Sequence, residues 1–271
     1  MQPNYAAVIE LAKKAGAAIL EIYNRSEYTV VEKADESPLT EADLAAHHII
    51  DAGLPAILDV PIISEEAATP DKEERAKWNQ FWLVDPLDGT KEFIDRHGEF
   101  TINIALIQEG EPVFGLIYAP VTDECFYGGD GKAFCKVGDE PAIPLKASSP
   151  NLQIGEHERI RVLGSKRHGT ENFARLCEKL EQKVARVERI AVGSALKLGY
   201  LASGQAELYP RYGNVCEWDI AAGHAILRCV GGDILSLQYE HLTYGKKPTM
   251  IVPGFFAIGQ VDFDWRTLLL S

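Results

Sequence analysis

The sequence predicts an α/β (α+β) chain with an antiparallel sheet in its first half and a mixed sheet in its second. Three observations carry this reading: helical spacing opens the chain, short apolar runs between turn signals follow, and strand-like and helical segments then alternate. Tyr5, Val8, Ile9, Ala12, Ile19, Leu20 and Tyr23 recur at the helical period and predict an amphipathic helix over residues 4 to 24. A second helix is expected over 40 to 53. Its start is marked by Thr40-Glu41-Ala42-Asp43, a capping box with Asp in place of the usual Glu or Gln. The pattern then changes to VPII from 60, FWLV from 81, FTINIALI from 100, PVFGLIYA from 112, ECFYG from 124 and KAFCKV from 132. GEP, PVTD, GGDG and GDEP separate the later runs, as in an antiparallel meander. Past a loop at 141 to 153 come the strand-like RIRVLG, a helix near 170 to 181, a strand at 184 to 190 and a helix at about 194 to 203. The last clear helix runs from Trp218-Asp219 to Gly231. These segments divide into an N-terminal subdomain, 1–153, and a C-terminal one, 154–271.

Composition narrows the function. The 271 residues are 46% hydrophobic, enough for one large core or two moderate ones. Against 40 acidic residues stand 27 Lys and Arg, a net charge of −13, which argues against wrapping a nucleic acid polymer or an acidic membrane. A small phosphate ester is still within reach, held by a metal ion or a few placed cations. Glu10, Lys13, Lys14 and Glu21 interrupt the first 25 residues, and no 18-residue apolar run occurs, so no signal peptide or transmembrane segment is expected. Five cysteines without a CxxC pair suit a reducing compartment, and the expected location is cytoplasmic. The sequence leaves open monomer or homodimer, and whether the chain sits peripherally on the inner membrane.

The stretch DPLDGTKEF, residues 85 to 93, raises the chemical question. Asp85 ends an apolar strand, Pro86 has no N–H and turns the chain, and Asp88 points back toward Asp85. Gly89 lets an anion approach the backbone, and Thr90 opens a short helix whose free N–H groups favour phosphate. Asp219, opening a later helix, and Glu65, after the strand VPIIS, would complete an all-oxygen site of the kind Mg²⁺ prefers. Taken singly, each acid is as well explained as a solvated side chain, a cap or an Asx turn.

SEEA at Glu65, WLVDPLDGTKEF and WDIAAGHAIL together resemble the lithium-sensitive, magnesium-dependent phosphatases of the inositol monophosphatase superfamily, over nearly the whole chain. Lys91 and Glu92 before Phe93, and GSALKLGYLASGQAELYPRYG at 193 to 213, are closer to its bacterial 3′(2′),5′-bisphosphate nucleotidases. The resemblance implies a layered αβαβα sandwich and hydrolysis of adenosine 3′,5′-bisphosphate to AMP, and of its sulfated analogue, in sulfur metabolism. It implies two or three Mg²⁺ ions on Glu65, Asp85, the Leu87 carbonyl, Asp88 and Asp219, with Asp43 and Thr90 activating the nucleophile. It further assigns substrate contacts to Glu65, Leu87, Asp88, Gly89, Thr90, His168, Ser194, Lys197, Arg211 and Asp219, with Lys197 or Arg211 facing a second phosphate. Ala195, where these nucleotidases commonly carry a second Ser, and GSKRH in place of SRSH depart from the pattern.

Two other readings stay open: an inositol or broad sugar-phosphate phosphatase, and a non-catalytic sensor of a phosphate ligand. Gly129-Asp130-Gly131-Lys132 is rejected as a P-loop because Ala133 replaces the required Ser or Thr. His224, within an apolar helical run, and Trp78 and Trp82 are expected in or near the core, and His47 and His48 lack a ligand partner in sequence.

Overall fold

The computed structural model describes residues 3–32, 38–148, 159–165, 171–183 and 186–270. Helix α1 (Tyr5–Tyr23) follows the predicted helical face, burying Val8, Ile9, Ala12, Ile19 and Ile22, and the Asn4 side chain accepts from the Ala7 N–H at its start. A two-stranded antiparallel ribbon, β1 (Val30–Glu32) and β2 (Pro38–Thr40), leads into α2 (Glu41–Ile57). The Thr40–Asp43 capping box forms as predicted, and α2 runs past residue 53 with Pro55 in its last turn.

Seven strands make the first sheet: β3 (Ile62–Ser64), β4 (Gln80–Asp88), β5 (Thr101–Gln108), β6 (Glu111–Ala119), β7 (Glu124–Gly129), β8 (Lys132–Val137) and β9 (Ile143–Pro144), in that order. All neighbours pair antiparallel except β3, which joins β4 in parallel. Short helices α3 (Lys72–Arg75) and α4 (Thr90–Ile94) flank β4. Gly129 and Lys132 bound the β7–β8 hairpin, which leaves the rejected P-loop as a tight turn. The second half contributes β10 (Ile160–Gly164), α5 (Glu171–Glu181), β11 (Val187–Ala191), α6 (Leu196–Ala202), β12 (Leu208–Arg211), β13 (Val215–Cys216), α7 (Glu217–Cys229), β14 (Asp233–Ser236), β15 (Ile251–Val252), β16 (Phe255–Ile258) and α8 (Trp265–Leu270). Its main sheet, ordered β11-β10-β12-β16-β14, is mixed.

Three apolar clusters define the layers. α1 and α2 cover one face of the first sheet through Trp82, Val84, Ile104 and Leu116. The other face, through Phe81, Leu83 and Ile117, packs on α6 and α7, which also meet Tyr209, Phe255 and Ala257 of the second sheet. Val162, Phe256 and Ile258 on that sheet's far side bury Leu176, Leu180 and Trp265 of α5 and α8. The succession is α, β, α, β, α, as the family resemblance implies.

His224 is fully buried, with Nδ1 2.7 Å from the Tyr244 hydroxyl and Nε2 2.6 Å from Asp233 Oδ1, so it is a satisfied core residue. The predicted boundary at 153/154 lies outside the described residues. Among the described residues, no helix is long and apolar enough to cross a membrane.

Candidate active site

The sequence predicts a strand that ends at Asp85 and a turn at Pro86; β4 instead continues to Asp88. Asp85 lies opposite Asn103 and Asp88 opposite Thr101, so three steps on β4 match two on β5. The extra residue is a bulge. It accommodates Pro86, which has no N–H to give to the ladder, and re-aims the two acids that bracket it. The Leu87 N–H donates to Asp85 Oδ1 at 3.0 Å.

The parallel β3 brings in the third acid. Ser64 is in register with Val84, so Glu65 leaves its strand beside Asp85, and its N–H donates to the Val84 carbonyl at 3.1 Å. Asp219 arrives from the first turn of α7, where its Oδ2 accepts the Cys216 N–H at 2.8 Å. Glu65, Asp85 and Asp219 present carboxylate oxygens all within 4.8 Å of one another. Burial, followed by the charges of Glu65, Asp88 and Asp219, holds the Asp85 carboxyl well above the usual carboxylate range. Burial, then Asp88 and Glu65, does the same to Asp219. An all-oxygen cluster of mutually repelling acids is a fit for a hard divalent cation, which would relieve the repulsion that protons otherwise relieve.

Asp88 is held from the other half of the chain, its Oδ2 accepting the Ser194 hydroxyl and the Ala195 N–H, each at 2.6 Å. The Thr90 hydroxyl sits between two acceptors, Asp43 Oδ1 at 3.3 Å and the Leu87 carbonyl at 3.4 Å. Asp43 is buried, and its other oxygen accepts the Thr40 N–H at 2.8 Å. The capping role and the contact with Thr90 therefore coexist on one carboxylate. Gly89 precedes α4 with φ of +92°, a left-handed conformation that suits glycine.

A cleft opens beside these acids, and Asp88, Gly89, Ser194, Lys197, Arg211 and Asp219 line it. Of the sequence-predicted residues it thus gathers most substrate contacts, whereas Asp43, Glu65, Leu87 and Thr90 are not part of its lining and His168 lies outside the described residues. Arg211 Nε is buried and has no hydrogen-bond partner among the described residues. Lys197 is committed differently, donating to the Val192 carbonyl at 3.1 Å and the Ser194 carbonyl at 2.6 Å. Sequence reasoning missed Thr101, whose hydroxyl is 2.6 Å from that of Ser194, and Glu99, which accepts the Gly193 N–H at 2.8 Å. Thr101 and Asn103 are buried polar residues two apart in the apolar run FTINIALI, and that was the available signal.

Comparison with known proteins fits this geometry. The model of the inositol monophosphatase family matches residues 1–256. The chain belongs to that family. The 3′(2′),5′-bisphosphate nucleotidase CysQ of Escherichia coli K12 is 42% identical over 251 residues, covering 92% of this chain and 96% of the relative. A crystal structure of CysQ from Bacteroides thetaiotaomicron superposes with a TM-score of 0.80 at 36% identity, over 94% of this chain and 97% of that one. The Thermotoga maritima IMPase, at 22% identity and TM-score 0.74 over 97% and 94% of the two chains, shares the fold. The αβαβα layers are those of a metal-dependent phosphatase family, and the chain carries an acidic cluster.

Proposed function

We infer that the chain hydrolyses adenosine 3′,5′-bisphosphate to AMP and phosphate with Mg²⁺, and also its sulfated analogue, clearing a by-product of sulfate activation in the cytoplasm. The observation that carries this is the convergence of Glu65, Asp85 and Asp219, with carboxylate oxygens within 4.8 Å, next to a cleft that Asp88, Asp219 and Arg211 line. A bisphosphate needs two anion sites, and this cleft offers a place for each. Glu65, Asp85, the Leu87 carbonyl, Asp88 and Asp219 would hold two or three ions at the scissile phosphate. When bound, the cations supply Lewis-acid stabilisation of the phosphoryl oxygens and acidify a water held there. Lithium is expected to inhibit.

The chain's own residues supply the rest. The Thr90 hydroxyl, 3.3 Å from Asp43 Oδ1, takes the proton of the attacking water and passes its own to Asp43. As the water oxygen bonds to phosphorus, the bond from phosphorus to the 3′-oxygen breaks; that oxygen leaves as the alkoxide and takes a proton from solvent, and Asp43 returns its proton to solvent. Arg211 supplies the fixed cation for the 5′-phosphate, in keeping with its buried, unpartnered Nε. The nucleoside extends into an adjoining groove lined by Phe173, Pro210 and Tyr212, whose apolar faces suit a purine. A mere sensor of phosphate has no need of the Thr90–Asp43 pair.

Phosphate release is measured from adenosine 3′,5′-bisphosphate and from inositol 1-phosphate at equal enzyme, with Mg²⁺ and with chelator. The nucleotide is expected to be the better substrate and the activity to vanish with chelator. A preference for the inositol ester overturns the substrate assignment, and no release from either with Mg²⁺ favours the sensor.

A further inference from the structure

Ser194 has a φ of +50°, in the left-handed region where a side chain is kept only by its surroundings. Its carbonyl accepts from Lys197 Nζ at 2.6 Å, and the same ammonium bonds the Val192 carbonyl at 3.1 Å. Lys197 is 5% exposed, with Nζ 5.3 Å from the centre of the Tyr209 ring. Glu99 fixes the intervening Gly193 N–H. Held this way, the turn delivers the Ser194 hydroxyl and the Ala195 N–H to a single oxygen of Asp88, Oδ2, at 2.6 Å each.

Two donors on one carboxylate oxygen fix the rotation of the group and leave the other oxygen to the acidic cluster. The Lys197 ammonium has three protons, and two serve main-chain carbonyls of this turn. We propose that Lys197 is a positioning residue: by clamping the turn at 192–194 it orients the donors on Asp88, and so sets the affinity for the divalent cation, while Arg211 meets the second phosphate. This rests on the reading of Asp88 as a metal ligand. Without the ammonium, Ser194 relaxes out of its left-handed conformation and both donors move off Asp88.

The sign of the effect separates this role from simple electrostatics. Removing a positive charge beside the cluster would, by Coulomb's law alone, tighten cation binding; removing a clamp weakens it. The test is Lys197→Met in the full chain, with Mn²⁺ binding titrated by electron paramagnetic resonance. Steady-state constants are taken for adenosine 3′,5′-bisphosphate and for adenosine 3′-monophosphate, which lacks the second phosphate. Mn²⁺ binding is expected to weaken about tenfold, with kcat falling by one shared factor for both substrates. Mn²⁺ binding that is unchanged or tighter, with the loss confined to KM for the bisphosphate, overturns the proposal. Should Lys197→Met fail to fold, Ser194→Ala removes one Asp88 donor and is expected to weaken Mn²⁺ binding too; unchanged binding there also overturns it. An unmodified protein that binds no Mn²⁺ would refute the metal reading itself, an outcome distinct from variants that bind as well as the parent.

Discussion

Asp85 is 1% exposed and surrounded by Glu65, Asp88 and Asp219, so its charge is opposed by burial and by like charges together. Its native pKa is raised above the value of about 4 it has in the unfolded chain. The cation-free native state therefore keeps a proton that the unfolded chain releases, and this contribution to stability is full below about pH 4 and lost as pH rises through the raised native pKa. Asp219 adds to the same fall. Protons and cations compete for one cluster, so Mg²⁺ should raise the melting temperature more at pH 8 than at pH 5, and Asp85→Asn should flatten the decline seen in chelator. A Mg²⁺ shift independent of pH, or a parent whose decline Asp85→Asn leaves intact, would contradict this. Much of this chemistry was legible because Asp85, Asp88, Gly89 and Thr90 are contiguous. Glu65 and Asp219 were legible as acids at the ends of elements that could complete an all-oxygen site, and the family resemblance implied the same two. Thr101 and Glu99 act through contacts with residues more than ninety positions away, which local pattern does not encode.

Helix α7 carries Asp219 in its first turn and lies between the two sheets. Its seat on the first sheet is Gly115 of β6, where an added Cβ would fall 2.0 Å from the Ala222 carbonyl oxygen. That atom is main chain and cannot swing aside, so the helix as a whole would have to move. Gly115→Ala should destabilise the protein by about 1–3 kcal/mol, measured by denaturant unfolding, and shrink the Mg²⁺-induced rise in melting temperature. Unfolding and Mg²⁺ response both equal to the parent's would refute the seat. Helices with clear periodicity or caps, α1, α2 and α7, were readable to within a few residues. β14, β15 and β16, together with the short α8, were missed because runs of two to six residues are too brief to establish a period. The bulge in β4 was hidden for another reason: Pro86 in sequence reads as the end of a strand, and only the pairing with β5 reveals that the strand continues.

At the scale of the molecule, the layering follows from strands apolar on both faces. Phe81 and Leu83 of β4 enter the central cluster, whereas Trp82 and Val84 enter the outer one. Such a run announces a sheet covered on both sides without saying which helices cover it. The family resemblance supplied that order, and the three clusters bear it out. The same layering creates the site, because β3 and β4 end and α7 begins at one edge of the central layer and the turn at 192–194 closes on it from the second half. The metal-binding convergence is tested most directly by anomalous diffraction from a crystal soaked in Mn²⁺. A peak is expected within coordinating reach of Glu65, Asp85 and Asp219, and a cluster without a peak, or Mn²⁺ bound only elsewhere, would contradict the convergence.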